Sequence, residues 1–145
     1  MPSSVSRPSR PSVDAARRTL RHFIGRDQLA VMVDGLNGEE GDWFAEKFVE
    51  LATLVDIMPP KYGHKGDDPL FAYLRYFAGA RATWYIAELS DEPDDKEQNQ
   101  AFGHAEIFAG CGELGRISIA EIIGNGGELD LHFKPKELDE CTRGN

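Results

Sequence analysis

Apolar positions in this chain change their period near residue 70. Val13, Ala16, Leu20, Phe23 and Ile24 recur at the three-to-four residue spacing of a helix, with arginines on the other face. Ser12 is placed to cap this helix and Gly25 to end it, and Gln28 to Asp34 adds a short helical turn. After a glycine-rich loop at Gly35 to Gly41, Asp42 is the next cap. Trp43, Phe44, Phe48, Leu51, Leu54 and Val55 then form a wide apolar stripe, while Glu46, Lys47 and Glu50 face water. Pro59-Pro60 stops that helix near Ile57.

From Leu70 onward the pattern is that of strands. Leu70 to Ala78 and Ala82 to Leu89 are aromatic-rich runs around Ala78-Gly79-Ala80-Arg81, which predicts a β-hairpin. One face of its first strand carries Phe71, Tyr73, Arg75 and Phe77, the other Ala72, Leu74 and Tyr76. Both faces are apolar enough to predict a central position with partial cover on each side. Asp91 to Gln100 reads as an acidic loop too polar to pack, and Ala101 to Phe108 as a third strand. The glycines of Ala109 to Gly115 predict a turn, Arg116 to Ile119 a short extended piece, and Ser118 with Glu121 a capping box over a small helix at 119–123. Leu129, Leu131 and Phe133 alternate with Asp130 and His132 in a last strand. The expected fold class is α+β: N-terminal helices packed on an antiparallel sheet of three to five strands, with one short helix before the last strand. The expected organisation is a disordered basic arm at 1–12, a single domain at 13–136 and a polar tail at 137–145.

Charge divides the chain. Residues 1–26 hold six arginines and one acid, a net of +5, whereas the remainder holds ten Lys/Arg and 24 Asp/Glu, a net of −14. Such a body repels nucleic acid, leaving the arginine-rich stretch 7–26 as its one plausible phosphate contact. No apolar run reaches the ~18 residues of a membrane span, and the lack of an apolar segment near the N-terminus argues against a secretory signal, although the Arg- and Ser-rich start is similar in composition to an organellar transit peptide. Cys111 and Cys141 are too few and too far apart for a disulfide framework or a zinc site, which suits reduced thiols in a cytoplasm.

Chemistry is sparse. His104 and Glu106 share one face of the third strand, and His132 lies beside Asp130 in the last. Were those strands neighbours, His104, Glu106, His132 and Glu88 would form a constellation suited to a transition metal or to acid–base work. A solvated sheet face explains the same alternation of polar types, and it is the reading adopted; no cofactor is implied. The loop Gly63 to Asp68 lacks the phosphate-loop and calcium-loop spacings and reads as a connector. None of the glycine clusters has the dinucleotide pattern of strand, GxGxxG and helix. The aromatic residues of the hairpin lack the basic groove that single-strand binding platforms carry, so they read as core. For contact with a protein partner, Glu113 and Leu114 and the acidic loop residues Asp91, Asp94 and Asp95 are the binding candidates. An acidic surface of this kind also resembles a DNA duplex in charge.

The strings FAYLRYFAGARATWYIAEL, AFGHAEIFAGCGELGRISIAEI and GGELDLHFKP resemble a bacterial family of unknown function, number 2958 among the domains of unknown function. The shared order runs through Tyr76-Phe77, Thr83-Trp84, Glu88-Leu89, Ala101-Phe102-Gly103, Glu113-Leu114-Gly115, Ser118 and Asp130 to Phe133, over residues 48–136. The chain departs from that order at Gly103 to Glu106, and the basic arm lies outside it. The resemblance implies a cytoplasmic protein carried on a plasmid, an integrated element or a phage, and it supplies no activity or catalytic residue.

Overall fold

The computed structural model describes residues 7–60, 69–79, 82–108 and 111–142. The arm's first six residues, Ala80-Arg81 of the hairpin turn, the connector at 61–68, Ala109-Gly110 of the expected glycine-rich turn and the last three residues fall outside them. The elements run α1 (Arg10–Leu20), α2 (Arg26–Gly35), α3 (Gly41–Ile57), β1 (Phe71–Ala72), β2 (Leu74–Ala78), β3 (Ala82–Glu88), β4 (Ala101–Phe108), β5 (Cys111–Ile117), α4 (Ile119–Gly124), β6 (Glu128–Leu129), β7 (Lys136–Glu137) and α5 (Leu138–Thr142). Five strands form an antiparallel sheet in the order β5-β4-β3-β2-β6, and β1 pairs with β7 in a two-stranded ribbon. The α+β expectation holds, including the short helix α4 before β6. No helix among the described residues is long and apolar enough to cross a membrane.

The main core joins the helices to one face of the sheet. Leu20, Ile24, Met32 and Phe48 meet Leu74, Tyr76, Ile86, Ile117 and Leu129 there, with Trp84 packed at the margin. Each large side chain removed from water in this way contributes about 1.5–3 kcal/mol before entropy is set against it. Tyr76 is wholly buried, and its hydroxyl donates to the Phe23 carbonyl, tying the sheet to the segment between α1 and α2. The far end of the sheet is tied to α3, because the Leu89 amide donates to Pro59 O at 2.9 Å.

Several sequence expectations need correction. α1 starts three residues early: Ser9, not Ser12, caps it, accepting from the Ser12 amide, and Pro11 is tolerated in the first turn where its missing N–H has no partner to lose. Residues 7–12, expected in the disordered arm, are placed instead, and Arg7 donates to the Leu36 carbonyl. Gly25 begins α2 and does not end α1. The glycine-rich 111–115 is strand β5, not a turn. The hairpin's first strand breaks at Tyr73, so Ala72 changes faces and joins Leu138 and Cys141 in a second small cluster. The last strand stops at Leu129, because the Asp130 carboxylate accepts from the His132 amide at 2.9 Å and turns the chain. The expected polar tail is folded through residue 142: β7 pairs with β1, the Leu138 amide donates to Leu70 O at 2.9 Å, and α5 buries Leu138 and Cys141. Its apolar residues lie one helical turn apart, too few to register as a stripe but enough to cover Ala72.

Candidate functional site

Three surfaces carry the residues that matter. The first is the sheet face turned away from the helices. Cross-strand register places Arg75, Tyr85, His104 and Leu114 in one row across β2, β3, β4 and β5, and Phe77, Thr83, Glu106 and Gly112 in the next. His104 and Glu106 thus share a face, as their spacing predicts. Arg75 is the hub: it bonds Asp130 at 2.8 Å, reaches Thr83 Oγ1 at 3.4 Å and lies 5.4 Å over the Phe77 ring. Arg75 and Asp130 are 28% and 21% exposed, so their charges cancel in a partly desolvated place. Burial raises the Tyr85 hydroxyl above its ordinary range, Cys141 adds to this, and Arg75 pulls against both. The Tyr85 phenol is accordingly protonated at neutral pH and serves as a neutral hydrogen-bonding group.

His104 lies flat over Gly112, where an added Cβ would come within 2.2 Å of its Cε1, and its Nδ1 is buried with no hydrogen-bond partner among the described residues. His132 does not join it. That ring stands against Trp43 of α3, with centroids 5.4 Å apart, past the end of β6. Glu88 is buried at the end of β3. Among the described residues no three His, Cys, Asp or Glu side chains converge in a way that would hold a metal. Arg75 and Asp130 were missed in the sequence because 55 residues separate them; no local pattern announces such a pair.

The second surface is the edge of the sheet at β5 with the loop beside it. β5 is an outermost strand of seven residues, and among the described residues no hydrogen bond reaches its backbone from the side away from β4. The opposite edge is sealed. Gln28 of α2 donates to Leu129 O at 2.8 Å and accepts from the Leu129 amide at 2.9 Å, standing in for a further strand beyond β6. Glu113 and Leu114 both lie on β5 and are exposed, with Leu114 at 52%.

The acidic loop abuts the end of this edge through Arg116, which donates to Asn99 O at 3.0 Å, and Ser118, whose hydroxyl donates to Asn99 Oδ1 at 2.8 Å. Contrary to the expectation that it is too polar to pack, the loop is built on its own polar groups. Gln98 is buried and accepts from the Ser90 amide at 2.7 Å, and Asp95 accepts from the Asn99 and Gln100 amides at 2.9 Å each. Burial alone would raise the Asp95 carboxyl; the bonds from Asn99, Ser90 and Gln100 outweigh it and hold it below the ordinary carboxylate range. Asp95 therefore works inward, while Asp91 and Asp94 face solvent.

The third surface is charge on helices. Arg10, Arg17, Arg18 and Arg21 line a shallow cleft along α1, tempered by Asp14 3.9 Å from Arg17. On α3, Asp42, Glu46 and Glu50 are exposed at four-residue steps, about 6 Å apart along the axis. No family model, curated protein or solved structure matches the chain. The likeness to family 2958 rests on the quoted residues alone.

Proposed function

We propose that this is a non-enzymatic binding protein that engages a protein partner by strand addition along β5. The observation that carries the reading is the contrast between the two edges: one closed by Gln28, the other a seven-residue strand with no backbone hydrogen bond on its outer side among the described residues. An added strand gains main-chain hydrogen bonds, and alternate side chains supply specificity. Here Leu114 offers an apolar contact and Glu113, Asp91 and Asp94 favour a basic segment. The resemblance to family 2958 would set this protein in a bacterial cytoplasm, encoded by a plasmid, an integrated element or a phage.

A second reading, a DNA mimic that blocks a host defence protein, is favoured by the acidic row on α3 and by the −14 body. The two readings separate in one experiment. A photo-crosslinking residue at position 113, exposed on β5, is introduced into the parent chain, into Leu114→Asp and into a triple charge reversal of Asp42, Glu46 and Glu50, and each is used in bacterial lysate. Strand addition predicts a discrete adduct that Leu114→Asp abolishes and the α3 variant retains. The mimic predicts that binding is lost in the α3 variant, is displaced by duplex DNA and fails in high salt. No adduct under any condition overturns the strand-addition reading. An enzyme built on His104, Glu106 and His132 has no geometric support, since His132 stands against Trp43 past the end of β6, with β2 and β3 between β6 and the strand that carries the other two.

A further inference from the structure

A cavity of about 430 Å³ opens between α2, the start of α3 and the turn after β6, at the sealed edge of the sheet and away from β5. Its volume falls in the range typical of small-molecule sites. Its walls are aromatic and flexible or branched apolar groups: the Trp43 indole, Phe44 edge-on to it at 5.0 Å, the Met32 thioether and Leu131. Val31, 65% exposed, stands at the cavity as the most exposed large hydrophobic side chain among the described residues. His132 completes the aromatic side, tilted 33° to the indole.

The charge around this cavity has one sign. Among the described residues, Glu40 and Glu128 are its carboxylate lining residues, and no lysine or arginine lines it. Glu40 holds the N-cap position of α3 without making a side-chain cap bond, so its carboxylate is not consumed there. Gln28, a further polar lining residue in addition to the His132 imidazole, spends one N–H and its carbonyl oxygen in clamping Leu129. Lys47 lies 5.2 Å from the Trp43 ring centroid, but it is paired with Glu50 and lies outside the lining. The cation preference therefore falls to the two carboxylates, and shape preference to the rings.

The geometry points to a binding site for a small organic ammonium carried on an aromatic body. The ring would lie among Trp43, Phe44 and Leu131, where burial of apolar area drives binding. The ammonium would stay at the mouth between Glu40 and Glu128, hydrated on its outer side and attracted by both. A carboxylate in the same place would meet two like charges, and a neutral alcohol would gain the apolar contact alone.

The test uses the full chain, amide-labelled with nitrogen-15, and three probes that share one ring: protonated tryptamine, neutral tryptophol and anionic indole-3-acetate. Tryptamine is expected to shift the Trp43 indole N–H and the Val31 and Leu131 amides in a saturable way, leaving the Trp84 indole unmoved. Tryptophol is expected to bind about fivefold more weakly, in keeping with two exposed charge contacts, and the acid more weakly still. In the Glu40→Gln/Glu128→Gln variant, tryptamine should fall to the affinity of tryptophol while tryptophol is unchanged. Both substitutions are at exposed positions, and an unaltered thermal transition verifies the fold. Equal affinities for the three probes, shifts centred on Trp84, or no saturable shift at Trp43 would each overturn the assignment.

Discussion

Tyr76 shows how much one hydroxyl can carry. Its ring is wholly inside the core, and burial raises the phenol far above its ordinary range, so the group is a permanent donor to Phe23 O. Tyr76→Phe keeps the packing and leaves a buried carbonyl unpaired. The expected loss is about 1–3 kcal/mol in urea-induced unfolding, with an unchanged denaturant slope. Two glycines give a sharper contrast. A Cβ at Gly103 would lie 1.9 Å from the Tyr85 carbonyl oxygen, a backbone atom of the paired strand that cannot step aside. A Cβ at Gly115, directly opposite, meets nothing within 4 Å. Gly103→Ala should cost about 3 kcal/mol or more, whereas Gly115→Ala should be neutral or stabilising by about 0.5–1 kcal/mol, read in the same unfolding assay. In the sequence these two glycines look alike, because what distinguishes them is the strand across from Gly103.

At the scale of elements, the same lack of partner information explains which pieces were readable. α1, α3 and α4 follow from apolar spacing and from Ser118 and Pro59-Pro60, all of which act within a few residues. β4 is legible for the same reason. β5 is not: glycines at 112 and 115 signal a turn locally, and only the ladder with β4, in which the His104 ring takes the space beside Gly112, makes a strand of them. α5 is hidden because its two buried residues matter only once Ala72 has changed faces. Of the candidate site, the shared face of His104 and Glu106 was readable from the period of a strand; the Arg75–Asp130 pair, Gln28 at the sealed edge and the cavity at Trp43 were not. The acidic loop has a pH signature of its own. Because Asp95 titrates below its unfolded range, its stabilising bonds are fully present above the ordinary carboxylate range and are lost as pH falls through the lowered value. Amide exchange at Asn99 and Gln100 should accelerate only in that acid window, and Asp95→Asn should bring the faster exchange to neutral pH.

For the molecule as a whole, the basic N-terminal stretch is not an appendage. Val13, Ala16 and Leu20 of α1, with Phe23 and Ile24 after it, are all buried in the main core. Removing residues 1–26 would strip these from the sheet, and the burial lost is comparable to the ~5–15 kcal/mol by which domains are stable. The truncated chain should show no cooperative thermal transition and should bind a hydrophobic dye. The charge can be removed without the core. Arg10, Arg17, Arg18 and Arg21 are exposed, and changing all four to glutamine takes the net charge from −9 to −13 while leaving every buried apolar side chain in place. This variant should keep a cooperative transition, somewhat lower than that of the parent at low salt, where α1 attracts the acidic body, with the gap closing as screening sets in. Any retention of the parent on DNA-cellulose at low salt should vanish in it, because the rest of the surface repels phosphate. Retention equal to the parent's would place the phosphate contact elsewhere, and a cooperative transition in the truncated chain would show that α1 is dispensable to the core.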